Sequence, residues 1–137
     1  MTVLTEFDDV NYLAVTAAAV IRLPLAAVWH SPLMFGRLWE RAVGLTPQQM
    51  VRRPLPALFA LAFLTSLAGG TVLALILGRD AGAATGALAG LLVGLGVAGG
   101  ALVSSMALEA RPRVLIALDT AFHAAVFTIT GAVIGGW

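Results

Sequence analysis

The chain has 137 residues, a length that allows one domain. Hydrophobic residues make up 60% of it and charged residues 11%, against about 45–50% and about 25% in typical soluble proteins, which excludes an ordinary soluble fold. The net charge of +1 lacks the concentrated basic surface that nucleic-acid binding requires, so no nucleic-acid partner is expected. Without cysteine, the chain has no disulfides and no thiolate chemistry.

Four continuous apolar stretches follow one another along the chain. A membrane-spanning helix needs roughly 20 mostly apolar residues, and only helices or closed barrels satisfy their backbone hydrogen bonds in lipid. The stretches do not alternate between polar and apolar residues, which favours helices over a barrel. We therefore predict an all-α bundle of four transmembrane helices in a lipid bilayer. The predicted helices cover about residues 11–34, 54–77, 81–107 and 113–136.

The distribution of arginines predicts the orientation, because loops rich in basic residues stay in the cytoplasm. The two loops predicted to be cytoplasmic carry six arginines, and the opposite side carries only Arg79, next to Asp80. The leader at residues 2–9 is acidic, unlike that of a cleaved signal peptide, so helix 1 is predicted to be a retained span. The protein is thus expected in the inner (cytoplasmic) membrane, with both termini on the outer side, opposite the cytoplasm. The six arginines are Arg37, Arg41, Arg52, Arg53, Arg111 and Arg113.

The segment after helix 1 has two interpretations. Residues 36–52 either form a short amphipathic helix in the membrane interface, with Trp39 on its apolar face, or serve as a simple connector. Thr46 and Pro47 predict an N-cap followed by proline at the first position of a single helical turn.

Glycines recur at every fourth position of helix 3 and near the end of helix 4. Residues four apart share a helix face, and small residues there let two helix backbones approach closely in lipid. The partner of this face is either another helix of the same chain or a second copy in a homo-oligomer. The glycines are Gly82, Gly86, Gly90 and Gly94 of helix 3 and Gly131 and Gly135 of helix 4.

Four ionisable residues lie within the predicted spans, Arg22 and His30 on helix 1 and Asp119 and His123 on helix 4. Each costs about 2.5–3.5 kcal/mol to insert and therefore needs a partner or a purpose. A rise of 1.5 Å per residue puts all four in the cytoplasmic half of the membrane. His30 is then level with Asp119, and Arg22 is close to the level of His123.

Three interpretations of this cluster remain open. It either pins helix 1 to helix 4 through a pair of Arg22 with Asp119 or His123, or it relays protons or binds a cation, or it holds a metal through His30, Asp119 and His123. If the pair pins the helices, replacing Asp119 by asparagine costs about 3–5 kcal/mol. No tight metal-binding motif is present, and neither a metal nor a cofactor is predicted.

Other polar residues in the sequence predict less. Glu109 beside Arg111 and Arg113 predicts an ion pair at the end of helix 3. The sequence contains no Ser-His-Asp order, no phosphate-binding loop and no zinc-protease helix motif, so nothing in it predicts an enzyme.

Two stretches of the sequence are distinctive. The first is WHSPLMFG at residues 29–36, followed by Trp39, and the second runs from Asp119 through Phe122 and His123 to a glycine-rich end and Trp137. Both resemble a family of small bacterial membrane proteins called domain of unknown function 1761. The family's first motif is Trp, an aromatic, Ser-Pro-Leu-Leu-Phe-Gly and a later Trp, and this chain differs from it at His30 and Met34, where the family has Tyr and Leu. The resemblance implies a four-helix membrane protein with no established activity.

The first motif also has a direct physical interpretation. The residue before a proline avoids the helical region, so Ser31 and Pro32 end or kink helix 1. Trp29, Phe35 and Trp39 are expected as aromatic anchors at the cytoplasmic interface.

Two classes of function follow from these observations. The first is a protein that moves or senses a proton, a cation or a small solute through Arg22, His30, Asp119 and His123. The second is a non-catalytic scaffold or accessory subunit whose polar residues only fix helix packing.

Overall fold

The structure is a computed structural model that describes residues 6–137, and the described part is helical without any strand. After a single 3-10 turn at Phe7–Asp9, six helices follow in chain order. Four of them, α1, α4, α5 and α6, are long and apolar enough to cross a membrane, which confirms the predicted all-α fold with four such helices. The helices are α1 (Tyr12–Trp29), α2 (Gly36–Val43), α3 (Pro47–Val51), α4 (Leu55–Leu77), α5 (Ala83–Leu108) and α6 (Arg113–Gly136).

Helix α1 ends at Trp29, five residues before the predicted end at residue 34. The chain turns back at once: the Ser31 hydroxyl donates to the Val28 carbonyl at 2.7 Å, and the Gly36 N–H donates to the Ser31 carbonyl at 2.9 Å. A Cβ atom on Gly36 would overlap the His30 carbonyl, so this turn requires glycine there. The motif is therefore a tight turn from α1 into α2.

Helix α6 lies at the centre of the structure, where it packs against α1, α4 and α5, and α2 contacts it as well. The contact between α4 and α5 is small, so α5 is attached almost entirely through α6. Because three long helices share α6, it has the most buried side chains of the four. They are Leu115, Leu118, Phe122, Ala124, Val126, Thr130 and Ile134, with Gly131 among them.

The glycine row of α5 packs against α6 of the same chain. A Cβ atom on Gly86 would overlap the backbone carbonyl of Gly131, and one on Gly90 would overlap that of Phe127. The reverse also holds, because a Cβ atom on Gly131 would overlap the Gly86 carbonyl and one on Gly135 would lie 2.5 Å from that of Gly82. In this structure the glycine row therefore packs against another helix of the same chain, which is one of its two interpretations.

Helix α5 changes its winding at Gly94–Gly99, which form a π-helical turn. A π turn contains an extra residue, so the face toward α6 passes from Gly94 to Gly99, five residues later, where regular spacing points to Ala98. Gly99 is buried, and a Cβ atom there would lie 3.0 Å from the Thr120 Cγ2.

The segment between α1 and α4 forms two short helices, of which α2 is one of the two interpretations of residues 36–52 and α3 is the predicted helical turn after Thr46. Thr46 caps α3 in a full capping box with Gln49, and Pro47 takes the first helical position, as predicted. Helix α2 turns the Trp39 side chain inward, toward α6. Its position relative to a bilayer surface stays a prediction.

Two ion pairs lie near the helix ends. The predicted pair of Glu109 and Arg111 is confirmed, with 3.1 Å between Oε2 and Nε. At the opposite end of the molecule, Arg79 pairs with Asp9 at 3.3 Å, and both side chains are exposed.

Candidate functional site

The candidate site is a cavity of about 400 Å³ between α1, α4 and the short helices, with Phe122 of α6 at its inner wall. We call this cavity the crevice. Its walls combine aromatic and aliphatic side chains with four ionisable groups. The ionisable residues are Arg22, His30, Glu40 and Arg53, and the aromatic ones are Trp39, Phe59 and Phe122.

Arg22 connects α1 to α4 at the inner end of the crevice. Its Nη1 donates to the Ser66 hydroxyl at 2.7 Å and to the Ala62 carbonyl at 3.2 Å, and the Thr65 hydroxyl lies at 3.5 Å. Its Nε is buried with no hydrogen-bond partner among residues 6–137. The expected pair of Arg22 with Asp119 or His123 is wrong, because the hydroxyls and a backbone carbonyl of α4 offer closer acceptors.

Both histidines have the same hydrogen-bonding arrangement. His30 Nδ1 donates to the Ala26 carbonyl at 2.9 Å, and His123 Nδ1 donates to the Asp119 carbonyl at 2.8 Å. A carbonyl only accepts, so Nδ1 carries the proton in each ring and Nε2 is the nitrogen that can accept one. The prediction that His123 and Asp119 share a helix face holds, but the ring bonds the backbone of Asp119 and not its carboxylate.

Asp119 accepts a hydrogen bond from the Trp39 indole, with 3.2 Å between Nε1 and Oδ1. This contact joins α2 to α6 and turns the Trp39 ring toward His30, whose ring lies edge-on at 5.2 Å between centroids. No basic side chain forms an ion pair with Asp119 in the described part of the chain.

Phe122 is the hub of an aromatic cluster. Its ring contacts those of Trp29, His30 and His123 at centroid distances of 5.7, 5.2 and 5.4 Å, and the Arg22 guanidinium lies 5.9 Å from its centroid. Trp29 and Phe35, expected as interfacial anchors, contact each other with tilted rings at 4.7 Å between centroids and are half-buried. Of the motif's aromatic side chains, Trp39 lines the crevice, while Trp29 packs against Phe122 of its inner wall.

A second, smaller cavity of about 20 Å³ lies behind Arg22, with room for one water molecule. We call it the chamber. Its walls include Arg22, Ser66, His123 and Thr130, and Arg22 is the one residue found in the walls of both the crevice and the chamber.

Beyond the chamber, an apolar cluster of Ala14, Val15, Ala74 and Ile134 fills the space between α1, α4 and α6. We call this cluster the plug. On its far side lies an outer cavity, whose walls include the Asp9–Arg79 pair and Trp137. The crevice, the chamber, the plug and the outer cavity thus share walls from the same three helices, and we call this series the seam.

The predicted metal ligands do not come together. Within residues 6–137, no group of three His, Cys, Asp or Glu side chains is arranged to hold a metal ion. The Trp39 ring lies between His30 and Asp119, and the Phe122 ring lies between the two histidines. The metal interpretation of His30, Asp119 and His123 is therefore wrong for this arrangement.

Several residues of the site were not predicted from the sequence. Arg53 and Glu40 line the mouth of the crevice, Ser66 binds Arg22, and Phe122 contacts both histidines and Trp29. Thr65 and Ser66 are adjacent hydroxyl residues in a helix whose other polar side chain is Thr71, and this pair is a signal that the sequence does contain.

The described residues thus make up an all-helical protein with four helices long and apolar enough to cross a membrane and, among them, a mostly apolar crevice that contains four ionisable side chains. It belongs to the family described as "Protein of unknown function (DUF1761)", whose sequence model matches residues 13–135, and the resemblance noted from the motifs is confirmed. The matched region contains almost all of the four long helices and every residue of the crevice and the chamber. Comparison with curated proteins and with solved structures gives no match.

Proposed function

We propose that the protein moves or senses a proton or a small solute along the seam between α1, α4 and α6. The observation that carries this proposal is that the Arg22 side chain lines both the crevice and the chamber. A group entering the crevice meets the same guanidinium that borders His123. Ionisable side chains at membrane depth are expensive and cluster where ions, protons or substrates pass.

The arrangement favours a proton or an uncharged or anionic solute over a metal cation. The permanently charged Arg22 guanidinium repels cations from the inner end of the crevice. His123, with Nδ1 fixed on the Asp119 carbonyl, offers Nε2 as a proton acceptor beside a cavity with room for one water. The plug then acts as the barrier to the outer cavity, and movement of α1 against α4 and α6 opens it.

Proton flux into vesicles tests this proposal. Purified protein is reconstituted with a pH-sensitive dye inside, and a potassium diffusion potential drives protons inward. We expect wild-type vesicles to acidify faster than protein-free ones, His123→Gln vesicles to lose this difference, and Ile134→Ala vesicles, with a smaller plug, to exceed wild type. Ile129→Ala is the control, since it is the same substitution on α6 away from the plug and the seam cavities. Wild-type rates equal to protein-free rates contradict proton movement.

A packing role is the second candidate, and two contacts favour it. Arg22 joins α1 to α4 through Ser66, and Trp39 joins α2 to α6 through Asp119. A scaffold or accessory subunit needs these bonds but not the open crevice. It predicts no flux, no bound solute, and a loss of stability in every variant that breaks either bond.

We further propose a location in the inner membrane with both termini outside, as the arginine distribution predicts. Reporter fusions at residues 45 and 137 test the orientation. A cytoplasmic reporter should be active only at residue 45 and a periplasmic one only at residue 137; the reverse pattern contradicts it. A homo-oligomer is one of the two sequence interpretations of the glycine row. Since those glycines pack within the chain, we propose instead the exposed apolar face of α5, which includes Leu88, Leu92 and Val97, as the contact between copies. The mass of the detergent-solubilised protein tests this proposal.

A further inference from the structure

We propose that the crevice binds an amphiphilic anion, a carboxylate joined to an apolar body, with Arg53 as the group that receives the carboxylate. This inference rests on the proposed function, because it names the class of solute that the crevice accepts. It is carried by the charges at the mouth of the crevice, by the contacts of Arg53, and by the apolar walls between Arg53 and Arg22.

The ionisable groups of the crevice are mostly basic. Two arginines and His30 line it, with Glu40 as the one acidic side chain. Arginine presents a planar fork of donors that matches a carboxylate, so two arginines in a mostly apolar cavity favour an anion over a cation or a neutral polar solute.

The Arg53 guanidinium has neither a carboxylate nor an oxygen acceptor among residues 6–137, whereas Arg22 donates to Ser66 and Ala62. Arg53 is half-buried, its guanidinium lies 5.4 Å from the centroid of the Trp39 ring, and the one hydrogen bond of that guanidinium is a long contact of 4.0 Å to the Met50 sulfur. The ion pairs found in the described part of the chain involve other arginines. A half-buried guanidinium without a carboxylate is under-satisfied, and a ligand carboxylate supplies the missing partner.

The remaining walls fit an apolar body. Between Arg53 and Arg22, the crevice is lined by Leu23, Ala27, Leu58 and Phe59, with Phe122 at the inner end. A volume of about 400 Å³ lies within the range of about 300–1,000 Å³ that small-molecule sites occupy. Apolar walls with a few charged groups are the usual composition of such sites.

The carboxylate has two sources, a water-soluble short-chain acid or a fatty acid from the bilayer. The experiment therefore uses two matched pairs of probes, hexanoate with hexanamide and oleate with oleyl alcohol. The protein is placed in nanodiscs of neutral lipid, and binding is followed by tryptophan fluorescence in a Trp137→Phe background, so that the signal comes from Trp29 and Trp39 beside the crevice.

We expect at least one acid to bind about tenfold more tightly than its uncharged counterpart, the advantage of a hydrogen bond to a charged group. Arg53→Gln should remove that advantage, Arg53→Lys should keep part of it, and Arg52→Gln should leave it unchanged. Arg52 is the matched control because it is the adjacent arginine, exposed and outside the crevice walls. A melting curve of each variant shows that loss of binding is not loss of fold.

The outcomes separate the two proposals. Binding by hexanoate alone or by oleate alone supports the inference and identifies the source of the acid. Equal binding of each acid and its counterpart, unaffected by Arg53→Gln, overturns the anion inference and leaves the crevice as a solute site. No binding by any probe overturns the inference, and together with an absence of proton flux it overturns the proposed function as well.

Discussion

The two sides of α6 contrast in how they are packed. On one side, α5 approaches so closely that backbone meets backbone, and a single added methyl group at Gly86 or Gly90 has no room. On the other side, α1 and α4 leave a crevice of about 400 Å³ and a chamber for one water, with Arg22 between them. Helix α6 therefore has one closely packed face, toward α5, and one face that borders cavities, toward α1 and α4.

This contrast separates structure from function within one small protein. Without a hydrophobic driving force in lipid, close packing is what holds spanning helices together, and the α5–α6 contact provides it. The open side places charged groups at a depth where their insertion into the membrane is costly. Charged residues at such depths usually serve a function. We infer that the α5–α6 contact holds the fold and that the seam performs the function.

The largest expected effect comes from filling the dense side. Gly86→Ala adds a methyl group against the Gly131 carbonyl, which cannot move aside as a flexible side chain does. Overpacking of this kind costs about 1–3 kcal/mol, and we expect the thermal midpoint in detergent to fall. Gly100→Ala is the control on the same helix, because within residues 6–137 no atom beyond the neighbouring helix backbone lies within 4 Å of the added carbon. Equal midpoints for the two variants would mean that α5 and α6 do not pack as closely as described.

A smaller effect is expected from the bond that crosses the open side. Ser66→Ala removes the nearest acceptor of Arg22, and the loss of one such bond between helices costs about 0.6–1.7 kcal/mol. Ser104→Ala is the control: like Ser66, Ser104 donates to the carbonyl four residues before it, but it accepts nothing from Arg22. The difference between the two free energies of unfolding measures the bond. A difference near zero would mean that the bond of Arg22 to Ser66 does not stabilise the packing of α1 on α4.

The smallest effect is expected at Asp119. An asparagine there still offers an oxygen to the Trp39 indole, and no cation loses its partner, so we expect Asp119→Asn to cost less than about 1 kcal/mol. The ion-pair expectation from the sequence requires a cost of about 3–5 kcal/mol. Chemical denaturation of both proteins in the same detergent decides between these values, and a loss in the larger range would restore a pinning role for Asp119.

The spans and the glycine row were predictable because each depends on a local pattern. Apolar stretches of about 20 residues predict spans whatever their neighbours are, and a spacing of four predicts a face of small residues. The end of α1 was missed by five residues because apolar Leu33 and Met34 continue the hydropathy signal past Pro32, while the turn depends on hydrogen bonds around Ser31 and Gly36.

The partners in the site were not predictable because they depend on which helices are neighbours. Depth along the spans placed Arg22 near His123, and both do border the chamber. However, Arg22 also contacts α4, whose Ser66 accepts its hydrogen bond. The depth estimate compared only α1 with α6 and could not find this partner. Asp119 likewise pairs with Trp39, a residue 80 positions away that reaches α6 only because α1 turns back sharply.

The central claim is that a group entering the crevice reaches Arg22, which requires the crevice to be filled with water. Two adjacent residues of α4 test this directly. Ala62 lies in the crevice wall beside Arg22, whereas Leu61 is at the same depth but faces away, with 58% of its surface exposed on the apolar outside. The chain has no cysteine, so Ala62→Cys and Leu61→Cys each carry one thiol. A charged methanethiosulfonate reagent reacts with the thiolate, which forms in water and not in lipid. In reconstituted protein we expect the thiol at position 62 to be modified much faster than the one at position 61, although position 62 is the less exposed of the two. Equal rates, or a faster reaction at position 61, would contradict a water-filled crevice.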